Sequence, residues 1–127
     1  MNRFSPYAAV ILRIAVGLVF LNHGLMKVHM GLAGVSGFFH EAGIPFSTPF
    51  AALVIAMETL GAVLLILGIV PRIIAAGYVI EMTVAVLVIL LPGHRPFELE
   101  GLLWAGSIAL VALGSGPLSA GQLLKKA

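Results

Sequence analysis

The chain has 127 residues, of which 61% are hydrophobic and only 9% charged, and it contains no cysteine. A water-soluble domain carries roughly a quarter charged residues, so this composition cannot cover a water-facing surface and fits lipid as the solvent. The net charge of +2 comes from scattered basic residues, which excludes a nucleic-acid patch, and the missing cysteines exclude disulfides, thiolate metal sites and thiol redox couples.

A helix that crosses a bilayer needs about 20 mainly apolar residues, since each adds about 1.5 Å toward a core of about 30 Å. The first predicted span covers residues 6–27, with Pro6 near its start, where proline's missing N–H costs nothing. Met1, Asn2 and Arg3 ahead of an apolar stretch resemble the opening of a signal peptide. Arg13 interrupts that stretch and no A-x-A site follows, so an uncleaved span is expected. In the connection over 28–48, Leu32, Val35, Phe38 and Phe39 share one side of a 3.6-residue helix, while Gly31, Gly34 and Gly37 weaken it. The expectation is a short helix in the outer interface, its phenylalanines turned to lipid or onto the bundle, with an ordinary loop as the alternative.

A second span is predicted over 49–70, stopping at Pro71, and a third over 72–91, stopping at Pro92 and Gly93. The fourth, over 98–114, is the shortest and ends in Gly114, Ser115, Gly116 and Pro117. Strict apolar/polar alternation over about ten residues, the mark of a transmembrane barrel, never occurs. The expected fold is an all-α membrane protein: a single domain over 1–127 built as a four-transmembrane-helix bundle. With four spans, Arg3, Arg72, Lys125 and Lys126 fall on one side and Lys27 and Arg95 on the other, with Glu41, Glu98 and Glu100. The positive-inside rule then predicts that both termini are cytoplasmic, and the expected location is a bacterial-type cell (inner) membrane with the protein multi-pass.

Charges inside a membrane cost about 2.5–3.5 kcal/mol each on insertion scales, so they turn inward and find partners. Counting the helical rise puts Arg13 about 10 Å deep, Glu81 about 15 Å and Glu58 about 18 Å, which lets the three meet in one network. On the first helix Arg13, Gly17, Phe20, Gly24 and Lys27 step by four and three residues and share a face. Its glycines admit a neighbouring backbone. His23 lies beside that face, and Glu98 and Glu100 open the fourth helix at the same outer level. The candidate polar interior is therefore Arg13, His23, Lys27, Glu58, Glu81, Glu98 and Glu100. It suits a polar headgroup or a proton relay; the plainer readings are an Arg13–Glu81 ion pair that fixes register and a Lys27 that snorkels to the interface. His23 has no second intramembrane histidine to face it, so haem is not expected, and no tight spacing motif marks a metal site.

Leu12 and Arg13 followed by Gly17-Leu18-Val19-Phe20, His23-Gly24 and Lys27 resemble the opening helix of the DoxX family. The resemblance continues through Phe38, Phe39, Gly43 and Pro45, then Glu58, Gly61, Gly68 and Arg72, to Glu98 or Glu100 and the closing Gly114-x-Gly116-x-x-Ser119. It implies a four-helix membrane protein whose family-like polar residues are Arg13, His23, Lys27, Glu58 and Arg72. The family takes its name from proteins linked to quinone-dependent sulfur oxidation and to terminal quinol oxidases. Other members are associated with membrane-bound oxidative-stress complexes. Two departures stand out: Glu81 lies outside the pattern, and a histidine often found late in the third helix is replaced within Val88-Ile89-Leu90.

Two function classes follow. One is a membrane subunit of a quinone-linked oxidoreductase system, working with redox-complex protein partners. The other is a non-enzymatic membrane protein that binds lipid or a small molecule, moves it as a transporter-like unit, or assists assembly. The glycine-bearing faces also suit a homo-oligomer.

Overall fold

The structure is a computed structural model that describes residues 5–121 and residue 123; Arg3, Lys125 and Lys126, which entered the topology count, lie outside the described residues. Among the described residues the helices are α1 (Tyr7–Glu41), α2 (Ser47–Leu67), α3 (Pro71–Val84, continued by a π-helical stretch, Ala85–Leu90) and α4 (Glu98–Leu113). No strand occurs among the described residues. α1 packs mainly on α2, and α3 mainly on α4.

The α1–α2 contact depends on the predicted glycine face. A Cβ at Gly17 would come within 2.5 Å of Ile66, and one at Gly24 within 2.6 Å of the backbone carbonyl of Glu58. At Gly24 the obstacle is backbone and nothing larger than hydrogen fits, while at Gly17 the Ile66 side chain would have to move, so the two helices cross antiparallel at close range, as small residues allow in lipid. The core between the helices is completed by Phe20 of α1 and Tyr78 of α3, whose rings stack with centroids 3.7 Å apart and planes 11° from parallel. The Tyr78 hydroxyl donates to the Met57 carbonyl of α2 at 2.6 Å, so one side chain ties three helices together.

The first helix runs past the predicted end at residue 27. It continues to Gly31, where φ of 82° and ψ of 159° break the helical path, and resumes to Glu41. Only glycine adopts that backbone readily. The expected short helix between the first two spans is therefore present, as the last ten residues of α1. Gly34 and Gly37 do not unravel it, because tertiary contacts override propensity. Val35 and Phe39 bury against Ala51, and the Ser36 hydroxyl hydrogen-bonds Thr48 at 2.7 Å and Ser47 at 3.2 Å, pinning the segment to the start of α2. Phe39 thus faces the bundle, while Phe38 is more exposed.

α1, α2 and the α3 helix through Leu90 are each long and apolar enough to cross a membrane. α4 has 16 residues, about 24 Å of rise, which is short of a full hydrocarbon core. Large apolar side chains face outward on all four helices: Ile11, Leu60, Ile73 and Leu102 are each at least two-thirds exposed. In water such a surface would be an aggregation liability; in lipid it is the solvated face.

Candidate functional site

A cavity of about 910 Å³ opens between α1, α2 and α3, with α4 at one edge. Its walls are mostly apolar, with Phe20, Val54, Met57 and Leu103 among them, and the π-helical turn supplies Ala85 and Val88. In that turn the hydrogen bonds step five residues, as from the Leu91 N–H to the Val86 carbonyl at 2.9 Å, which widens the helix beside the cavity.

The polar groups gather in one part of the wall. Lys27 Nζ donates to Glu58 Oε1 at 2.7 Å; the Glu58 side chain is 3% exposed and that of Lys27 24%. Antiparallel packing produces this pair: Gly24 lets α1 approach at Glu58, and Lys27, one turn further on, then lies over the carboxylate. Glu81 of α3 brings a second carboxyl up to that of Glu58 and within the field of Lys27. Its Oε2 is buried and has no hydrogen-bond partner among the described residues. His23, Arg95 and Glu100 also line the cavity.

Five of the seven candidates, His23, Lys27, Glu58, Glu81 and Glu100, therefore border one space. Glu98 is exposed and is not part of the lining. Arg13 is elsewhere, which corrects the expected network with Glu58 and Glu81. Its Nε donates to the Ile66 carbonyl at 3.2 Å, Nη1 to Ser115 O and to Pro117 O at 3.3 Å, and Nη2 to Leu118 O. The physical reason is register. With Gly17 facing Ile66, Arg13 one turn earlier reaches past the end of α2, where helix carbonyls lack intrahelical partners. Glu58 lies about two turns deeper in α2. Arg72 plays a similar part at the end of α4, donating to the Ala112 carbonyl at 3.4 Å.

Tyr78 and Arg95 were not singled out as site residues in the sequence. Tyr78 lies one turn before Glu81 on the same α3 face, a signal that its apolar ring concealed. Arg95 counts toward topology but also borders the cavity. Among the described residues, no three His, Cys, Asp or Glu side chains come together in a way that could hold a metal ion.

The DoxX family model matches residues 8–91, which include α1, α2, α3 and the Lys27–Glu58–Glu81 cluster. The chain belongs to the DoxX family. It is 33% identical over 120 residues to the protein of Bacillus subtilis named "Putative oxidoreductase CatD", covering 91% of this chain and 85% of that protein. It is also 33% identical over 92 residues to the uncharacterized membrane protein Rv3486 of Mycobacterium tuberculosis, covering 72% of this chain and 56% of that protein. No solved structure matches the chain. As a DoxX protein it is a membrane protein, in agreement with its three long apolar helices.

Proposed function

We propose that this DoxX protein is a membrane subunit of a quinone-linked oxidoreductase system, with the cavity beside Lys27, Glu58 and Glu81 receiving a quinone headgroup. The observation that carries this reading is the combination of an apolar space of about 910 Å³ with a buried, unpartnered carboxyl oxygen of Glu81 in its wall. Ligand sites pair apolar walls with a few converging polar groups in this way. The residues present fit a quinone: apolar walls suit its ring and tail, Lys27 can donate to a quinone carbonyl oxygen, and the Glu81 oxygen can accept from the hydroxyl of the reduced quinol. When bound, a quinone would supply reversible electron and proton uptake, while the chain's own groups orient the head and hold protons at the Glu58 and Glu81 carboxyls. Electrons would come from a partner protein or a further bound cofactor, since the chain has no thiol redox couple of its own. The name of the Bacillus relative, with its reference to an oxidoreductase, supports the same direction.

Protein extracted from its native membrane should carry quinone, detectable by solvent extraction and mass spectrometry, and Glu58→Gln should lose it together with quinone-dependent activity. No bound quinone and an unchanged activity would overturn the reading. Retained lipid in its place would favour the non-enzymatic binder.

The same proposal includes α4 as a fourth, short span in a bacterial-type cell membrane, with both termini cytoplasmic. Its outward Leu102, Trp104 and Leu113 support burial in lipid. The absence of native cysteine makes single-cysteine labelling clean. Glu41→Cys and Glu98→Cys should react with an impermeant maleimide from outside the cell, and Arg72→Cys only after lysis. Labelling of Arg72→Cys in intact cells would refute this orientation.

A further inference from the structure

The charges around the cavity do not balance as drawn by the sequence. Lys27 offers one ammonium, and Glu58 and Glu81 offer two carboxyls. The ammonium is committed to Glu58 at 2.7 Å, and among the described residues Glu81 forms no ion pair of its own. The other polar groups facing this space do not supply one. Arg95 and Glu100 both line it and oppose each other in sign, while Tyr78, which is not part of the lining, donates its hydroxyl to the Met57 carbonyl. His23 lies one turn before Lys27 on α1. Two carboxyls that share a site resist double ionisation, and a second unpaired charge within a span is costly. The unpartnered Oε2 of Glu81 fits a group that carries a proton or meets one from a ligand.

We infer that Glu58 and Glu81 hold one proton between them, and that this makes the cavity select an uncharged headgroup bearing hydroxyl or carbonyl oxygen over a carboxylate or phosphate headgroup. This rests on the cavity being the ligand site of the proposed function, and it names the head chemistry that site accepts. An anionic head would have to draw Lys27 away from Glu58 while facing two carboxyls. An uncharged head can accept a hydrogen bond from the shared proton or donate one to the free oxygen, and it leaves the ion pair intact. Quinones and quinols belong to this class, and so do fatty alcohols and monoacylglycerols.

Four probes of matched tail length separate the cases: a decyl-substituted benzoquinone, monolaurin, laurate and lauroyl lysophosphatidate, titrated into the full chain in non-ionic detergent. Monolaurin, and the decylquinone too where the quinone reading holds, should bind about tenfold or more tighter than either anion, the scale of one good hydrogen bond. Glu81→Leu should weaken the uncharged probes about tenfold, and Glu81→Gln, which keeps a neutral donor and acceptor, should restore them. Glu58→Gln releases Lys27 and should turn the preference toward laurate and lysophosphatidate. The infrared spectrum of the ligand-free natural protein should contain a protonated carboxylic-acid band that Glu81→Gln alters; this measurement decides the matter if a variant fails to fold. Tighter binding of the anions to the natural protein, or no such band, overturns the inference. Monolaurin bound with decylquinone refused supports it and overturns the quinone reading alone. Decylquinone and laurate bound equally overturns the selectivity and leaves the quinone reading standing. Binding of none of the four overturns both.

Discussion

Lys27→Met should destabilise the folded protein by about 3 kcal/mol, and Lys27→Met combined with Glu58→Met should recover most of that loss. The asymmetry arises from desolvation. A buried ion pair adds little net stability over a well-packed apolar pair, because both charges must leave their solvent, but removing one partner strands the other. Glu58 has a 3% exposed side chain, and its backbone carbonyl lies against Gly24 of α1, so the carboxyl starts far from water. The partial exposure of Lys27, 24%, places the cost at the lower end of the range for buried pairs. Unfolding by SDS in mixed micelles should give a coupling between the two sites of about 1.5 kcal/mol or more. Additive losses would mean that the pair is not energetically linked. The double variant should also discard the headgroup selection while keeping the fold, which separates the pair's binding role from its structural one.

Hydrophobic length and proline placement made most of this fold legible in the sequence. Pro71 begins α3, the apolar runs set α2 and α3, and the face carrying Gly17, Gly24 and Lys27 does meet α2. Lys27–Glu58 lay within the expected cluster because a charge at the outer end of the first helix and a carboxyl in the second reach the same level in an antiparallel pair. Arg13 was harder to place. Depth alone brought it near Glu58 and Glu81, but depth from a membrane surface does not fix which atoms touch. The register of α1 on α2 decides that, and its determinant is the fit of Gly17 against Ile66, a tertiary fact. The competing partners were also invisible to a search for opposite charges, because they are backbone carbonyls of Ile66, Ser115, Pro117 and Leu118. The π-helical turn at Ala85–Leu90 has no composition signal either: its residues are apolar and helix-compatible, and the extra residue per turn appears only when the chain packs.

That placement of Arg13 leads to the other large effect. Arg13→Met should cost about 3 kcal/mol, since it leaves several half-buried carbonyls without donors, each worth about 1–3 kcal/mol when fully buried and orphaned, and partial access to water recovers some of the total. Arg13 is 3% exposed, so that access is limited. Arg13→Lys should restore less than half. The guanidinium reaches the Ile66 carbonyl through Nε and the Ser115 and Leu118 carbonyls through its two terminal nitrogens, so three nitrogens serve three separate carbonyls. An ammonium is a single point with three donors and cannot span all three. What the arginine holds together is the end of α2 and the segment after α4, so the loss should concentrate there. Hydrogen exchange should rise first at residues 115–119 and at the C-terminal turn of α2, well before the Lys27–Glu58 region opens. Arg13→Met should leave the rank order of the four amphiphile probes intact, because Arg13 caps helices about two turns away from the carboxyl pair. A collapse of probe selectivity in Arg13→Met, with hydrogen exchange at 115–119 unchanged, would mean that Arg13 acts on the cavity after all and that the two charge clusters work as one.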